Sequence, residues 1–302
     1  MRTLLTVALR SHLIGDPPPV SAKVWRVLRA AVSKCAGPDA LMHWASRSLL
    51  PDDGDRVKAR LDLLSQVEGK LAELVEQGVR AVSEFDPEYP QRFHETLGEK
   101  KPEVLFVSGE LSLLNWRSIG VVGSRDADAP ARQFAQAVAE VAVGAGYSVV
   151  SGAAKGIDQV AMNAAYEAGG RSLGFLAESL LSRVRQEAEV MDEGLVCLAT
   201  CYKPDSAFSV GNAMGRNKLI YGHADATVVV SAARGSGGTW AGATEACASG
   251  HTVLVRSGPG VPDGNVGLLE GGSLFGGGAR PLERPEHLLD LLSELDAQSA
   301  GA

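Results

Sequence analysis

Three stretches of this 302-residue chain set glycines beside a single cation: VVGSRD (121–126), VVSGAAKGID (149–158) and VVVSAARGSGGTWAGATEA (228–246). Each begins with an apolar run and leads towards a helical pattern. Glycine lets a backbone N–H approach an oxyanion because no Cβ intervenes, and the amino end of a helix favours negative charge. Arg125, Lys155 and Arg234 each add a cation to one of these turns. The chemistry implied is the holding of an anion, by turns that converge at the carboxyl ends of parallel strands. A fourth stretch, AMGRNKLIYGHAD, offers Arg216, Asn217 and Lys218 just ahead of the last such unit. Arginine forks onto phosphate oxygens and an asparagine amide pairs with a base edge.

What is missing narrows the anion. There is no GxGxxG after the first strand and no GxxxxGK[ST], so neither a dinucleotide nor a triphosphate P-loop site is supported. His223 in YGHAD and His251 in SGHTVLV have no serine or cysteine nucleophile at a suitable sequence position, so no catalytic triad is assigned. Asp158, just after the second turn, is placed to cap the amino end of its helix. Cys35, Cys197, Cys201 and Cys247 lack paired CxxC spacing, which suggests neither a zinc site nor a disulfide framework. No metal and no cofactor are expected.

The elements needed to position these turns are legible as periodicity. The runs VLFVSG, SIGVVG, YSVVSG, SLGFLA, LVCLAT, ATVVVSA and TVLVRSG read as strands, and helical patterns at 130–145 and 157–168 alternate with them. That alternation predicts an α/β domain with a largely parallel sheet over 79–302. Residues 1–78 carry helical patterns separated by GDPPP and LPDDGD, read as turns, and predict a small helical domain. The glycine-rich stretch after Pro259 reads as loop, with LLDLLSEL as a last short helix. A net charge of −7 excludes a protein that coats nucleic acid by bulk attraction, while leaving room for a local basic pocket. No apolar run approaches the roughly 18 residues of a membrane span, and MRTLLTVALR lacks the features of a signal peptide, so a cytoplasmic address is expected.

The ordered set VVGSR, SGAAKGID, GRNKLI and SGGT, with DPEYPQRFHETLGEKKPEVLFVSGELSLLN upstream and DGNVGLLEGGS (263–273) downstream, resembles the DNA-processing protein A family (DprA, also called Smf). The resemblance covers roughly residues 84–275. It implies a Rossmann-like fold with helices on both faces, single-stranded DNA as ligand, a homodimer, and a recombinase of the RecA type as partner, in DNA uptake, recombination or defence. Position by position, it implies that Gly123, Ser124 and Arg125 form one side of a DNA pocket and Gly152, Lys155, Gly156 and Asp158 a second. Arg216, Asn217 and Lys218 match the family's RNR, and Ser236, Gly237, Gly238 and Thr239 its serine-glycine loop. Lys155 and Lys218 replace arginines, keeping charge but losing the bidentate fork. Met162 stands where the family has histidine and Ser231 where it often has glutamate. Only about twenty-five residues follow the core, so no C-terminal winged helix is expected. Trp240, Phe208 and Tyr221 lie in or beside the matched segments as candidates for base stacking. Two other readings share the pocket: a sensor of a nucleotide-derived signal, and a nucleoside-monophosphate phosphoribohydrolase of related fold. For the latter, Glu245 lies six residues past Thr239, about 9 Å along a helix and far from the ribose.

Overall fold

The computed structural model describes residues 1–187, 191, 193–271 and 278–300. All seven apolar runs form strands: β2 (Val104–Gly109), β3 (Ser118–Gly123), β4 (Ser148–Ser151), β5 (Ser172–Phe175), β6 (Val196–Thr200), β7 (Ala226–Ser231) and β8 (Val253–Arg256). Two short ones, β1 (Arg80–Ser83) and β9 (Arg280–Leu282), complete a single sheet of order β1-β2-β6-β5-β4-β3-β7-β8-β9. The β1–β2 and β2–β6 pairs are antiparallel and the rest parallel. From β3 the chain winds outward through β4, β5 and β6, then returns to lay β7 on the other side of β3. The strand order therefore reverses between β3 and β7, the place where an open α/β sheet leaves a crevice for a ligand. The β3–β7 register breaks between Val122 and Gly123, so the two strands part at that point.

The central strands are apolar on both faces because both faces are covered. Val121, Val149, Val228 and Val230 join a core beneath helices α7 (Ala129–Gly144) and α8 (Ile157–Glu167). Val122, Val150 and Val229 face the opposite core, under α10 (Val210–His223) and α11 (Gly237–Ala248). Helix α7 starts as its sequence requires, with Asp128 Oδ1 accepting from Ala131 N at 2.8 Å and a proline in the first turn.

The front end folds as α1 (Arg2–Arg10), α2 (Ala22–Lys34), α3 (Pro38–Ser48), α4 (Pro51–Leu61) and α5 (Leu64–Glu76). LPDDGD, expected as a turn, is instead the start of α4: Pro51 takes the first helical position and Asp52 and Asp53 sit in the first turn, where the dipole favours them. Helix α1 faces two ways. Leu5 and Leu9 pack with Trp25, Leu28 and Leu41, while Val7 and Ala8 join the sheet core beside Val67 and Leu74. A buried carboxylate, Glu84, accepts from Trp25 Nε1 at 2.9 Å and pairs with Lys101 at 3.0 Å, tying α2 to the sheet's edge. Two short helices, α6 (Arg92–Thr96) and α9 (Leu180–Gln186), lie between strands. Among the described residues no helix is long and apolar enough to cross a membrane, and no group of three or more His, Cys, Asp or Glu could hold a metal ion.

Candidate functional site

The turns after β3 and β4 press against each other, and that contact dictates their glycines. A Cβ on Gly123 would lie 2.6 Å from Ile157, and one on Gly156, at φ +87°, would lie 2.4 Å from Ser124 O. Both are far inside van der Waals contact, and Gly156 also needs the left-handed backbone. Helix α8 takes Gly156 as its cap residue, with no side-chain cap bond. Asp158, expected to cap that helix, does something else. It is buried in the first turn, where the backbone N–H groups of Ala154, Gly152 and Gly123 and the Arg216 guanidinium favour its charged form. It thus sits where the ends of β3 and β4 meet, facing the Gly123 and Gly152 amides. Burial pushes the Asp158 carboxyl up, against the pull of Arg216 and these amides.

Arg216 comes down onto the same floor from α10. It is 5% exposed, and Nη1 donates to Phe175 O at 2.7 Å. A Cβ on Gly152 would lie 1.6 Å from that nitrogen, so glycine is what admits the guanidinium. Burial lowers the Arg216 pKa, Asp158 opposes this, and Nε has no hydrogen-bond partner among the described residues. Next to it, Asn217 Nδ2 donates to Gly238 O at 2.9 Å, tying α10 to the first turn of α11. Gly242 lets the helices close up, since a Cβ there would meet Asn217 Nδ2 at 3.0 Å and Tyr221 at 3.1 Å.

These parts frame a cleft of ≈ 600 Å³ at the point where the strand order reverses. Ser124, Arg125, Asp158, Arg216, Asn217, Ser236, Gly237, Gly238 and Thr239 line it, with the apolar side chains of Phe208, Val210, Met214, Tyr221 and Trp240. Ser236 is the cap residue of α11 but makes no side-chain cap bond, and Gly237 at φ +78° turns the chain into the helix. The first backbone N–H groups of a helix have no intrahelical partner, so this end of α11 presents donors to the cleft. A second groove of ≈ 630 Å³ adjoins the first and shares Arg125, Ala154 and Phe208 with it. Between the two, the Arg125 guanidinium carbon stands 4.7 Å from the Phe208 ring centre, a cation–π pair. Lys155 lines the second groove, where Arg183 is already engaged by Glu178, Glu187 and the Ala153 carbonyl.

Two of the cations expected at the site lie elsewhere. Arg234 leaves its loop to pair with Glu270 at 3.1 Å, while its neighbours Ala233 and Gly235 line the cleft. Lys218 projects from a different face of α10 into a separate cavity, with Glu245.

Residues 80–292, well over half of the chain, match the family described as DNA recombination-mediator protein A. The chain belongs to this family. It is 30% identical over 297 residues to protein Smf of Escherichia coli (strain K12), covering 90% of this chain and 75% of that protein. To the DNA processing protein DprA of Bacillus subtilis (strain 168) it is 28% identical over 235 residues, 76% of each chain. Its fold matches the X-ray structure of DprA from Streptococcus pneumoniae with a TM-score of 0.71 at 21% identity, over 96% of this chain and 97% of that one. It also matches the Helicobacter pylori protein, a structure described for its single-stranded DNA binding mode, with a TM-score of 0.58 at 18% identity, over 72% and 96%.

At Met162 and Ser231, the two positions the resemblance sets apart, the side chains are accommodated. Met162 is buried, and a Cβ on Gly174 would meet its methyl at 3.2 Å. Ser231, also buried, ends β7 in the wall of the cleft. Sequence reasoning gave Asn265 no individual role, yet it holds the loop after β7 in place. Fully buried on α12 (Asp263–Glu270), its Oδ1 accepts from Ala232 N at 2.9 Å and its Nδ2 donates to Val230 O at 3.1 Å and Arg256 O at 2.9 Å. Helix α12 lies in the glycine-rich stretch expected as loop. Gly264 is needed there because a Cβ would lie 2.1 Å from Ala232 O, so composition marked a close approach and not a disordered turn. Residues 272–273, the end of the DGNVGLLEGGS segment, lie outside the described residues. His223 also gains a serine that its sequence neighbours lack: Ser118 Oγ lies 2.8 Å from Nδ1, and Nε2 faces Leu114 O at 2.9 Å. Both side chains are buried, and desolvation holds the imidazole near pKa 4, so the pair is neutral and structural.

Proposed function

We propose that the cleft binds single-stranded DNA without catalysing its cleavage. The supporting observation is the meeting, along one wall, of Arg125, the open amino end of α11 and the 44%-exposed Phe208 ring. Cations and helix N–H groups suit phosphates, and an exposed ring suits a base face, which a duplex keeps stacked away. With a net charge of −7, bulk attraction is weak, and Arg125 in the cleft and Lys155 in the adjoining groove supply local positive charge. Glu245, the carboxylate a phosphoribohydrolase reading would need, lines the separate cavity and not the cleft. The same reading has the protein act in the cytoplasm as a homodimer, with a recombinase of the RecA type as the partner that receives the strand.

Fluorescence anisotropy with labelled oligothymidylate and a duplex of equal length tests the proposal. The single strand is expected to bind more tightly, with affinity falling as salt rises. Arg125→Ala is expected to weaken it and to shallow the salt dependence by about one ion. Equal affinity for duplex, or an unchanged salt slope in Arg125→Ala, overturns the reading. Release of adenine from AMP by the purified protein would replace it with the hydrolase.

A further inference from the structure

Lys218, Glu245 and His251 take no part in the cleft, and the fold gathers them behind it. There a separate cavity of ≈ 140 Å³ lies between the turn at Gly98–Lys100, α10 and the carboxyl half of α11. Tyr221, Gly242 and Ala246 give it a buried floor, and the exposed Lys100 and Glu245 stand at its mouth with the half-buried Lys218. Among the described residues neither lysine has an acidic partner within 4.0 Å, and the Glu245 carboxylate has no basic one. Two ammonium groups and one carboxylate thus stand unpaired around one hollow. Burial keeps His251 below the ordinary imidazole pKa, leaving it neutral at pH 7. The lining then carries two ammonium groups against one carboxylate.

Size and polarity limit the occupant. At about 30 Å³ per water the hollow holds about five waters, and it falls below the few hundred Å³ of a nucleotide-sized pocket. Ser249, the residue that caps the carboxyl end of α11, also lines it, so the negative end of that helix lies beside Glu245 and favours a positive group there. A plain anion would satisfy the lysines and leave Glu245 unanswered. We propose that this cavity is a second ligand site, for a small amino-carboxylate. Carboxylate groups meet Lys100 and Lys218, an ammonium meets Glu245 and the carboxyl end of α11, and the carbon chain covers the floor. Two carboxylates and one ammonium are the charge complement of the lining, which makes L-glutamate the natural probe. The proposal does not rest on the DNA reading, because no charged group is shared by the two sites.

Calorimetric titration of the full chain with L-glutamate, with glutarate, which lacks the ammonium, and with inorganic phosphate tests it. L-Glutamate is expected to bind at least tenfold more tightly than either of the others. Lys218→Gln and, separately, the exposed Lys100→Gln are expected to weaken L-glutamate at least tenfold. Glu245→Gln is expected to abolish the preference over glutarate. Absence of heat with L-glutamate, phosphate binding as tightly, or unchanged affinity in both lysine variants overturns the proposal.

Discussion

At its amino end α10 leaves Val210 68% and Met214 50% exposed beside Phe208. At its carboxyl end every residue from Leu219 to His223 is buried, and both ring nitrogens of His223 are hydrogen-bonded. Native chains rarely leave buried polar atoms unmatched or large apolar groups clustered in water. The contrast along one helix therefore lies in burial: a holding end packed into the core and bonded through His223, although Tyr221 Oη there has no partner among the described residues, and a binding end whose large apolar groups stand open beside the cleft. Substitutions at the two ends are expected to fail differently, the first in stability and the second in affinity.

The largest effect belongs to the holding end and to acid. Unfolded histidine takes its proton near pH 6.5, whereas burial holds His223 off until about 4. In that window the unfolded chain binds more protons, so the His223 contribution is intact above pH 6.5 and is lost as pH falls towards 4. The full loss is about 3 kcal/mol. Urea unfolding midpoints at pH 7 and pH 4.5 measure it. His223→Gln, which cannot protonate, is expected to be less stable at pH 7 and to lose less on acidification. An identical pH slope in the variant would mean that another group governs the acid response.

Gly152→Ala sharpens the contrast because it strikes the join between the two ends. The new Cβ would stand 1.6 Å from Arg216 Nη1, so the guanidinium must leave Phe175 O and the vicinity of Asp158. A buried carboxylate deprived of its cation is costly, and a loss of about 2 kcal/mol is expected together with weaker oligonucleotide binding. Thermal unfolding and anisotropy on the same preparation check both. A variant as stable as the parent would show that Arg216 has another place to go.

Phe208→Ala should move affinity alone. A base stacked on an aromatic ring is worth about 1 to 3 kcal/mol, and removing a ring that is 44% exposed leaves the core untouched. Weaker binding of single strands with an unchanged unfolding midpoint is the expected pair of results.

How much of this was legible in the sequence follows the range of the interactions involved. Strands β2 to β8 and helices α7 and α8 declared themselves because both faces of the sheet are covered and helix starts carry local signals. β1 and β9 did not, being three or four residues long at the sheet's edges. At the site, glycine-rich turns correctly marked where backbone must approach something closely. Sequence could not say whether that something was a phosphate or another part of the chain. Gly123, Gly152 and Gly156 proved to make room for Ile157, Arg216 and Ser124. The directions of long cations were likewise hidden, since one helix carries Arg216 inward and Lys218 to a separate cavity two residues later. Asn265 was invisible because its three partners come from β7, β8 and the loop between β7 and α11.

Arg234 supplies the smallest expected effect and the cleanest control. It sits in the most glycine-rich of the turns and by composition belongs to the anion site. Its guanidinium instead pairs with Glu270 at 3.1 Å, with both side chains more than half exposed. An exposed pair of this kind contributes about 0 to 1 kcal/mol, most of it screened by salt. Arg234→Ala is therefore expected to leave the unfolding midpoint unchanged and to lower oligonucleotide affinity by less than about twofold, against the larger loss in Arg125→Ala. Both substitutions remove one positive charge from neighbouring loops, so a shared long-range attraction would weaken them alike. Unequal losses, read from anisotropy titrations at matched salt, would mean that the cleft works through direct contact with Arg125. Equal losses would mean that net charge, and not the geometry at the meeting of β3 and β7, sets the affinity.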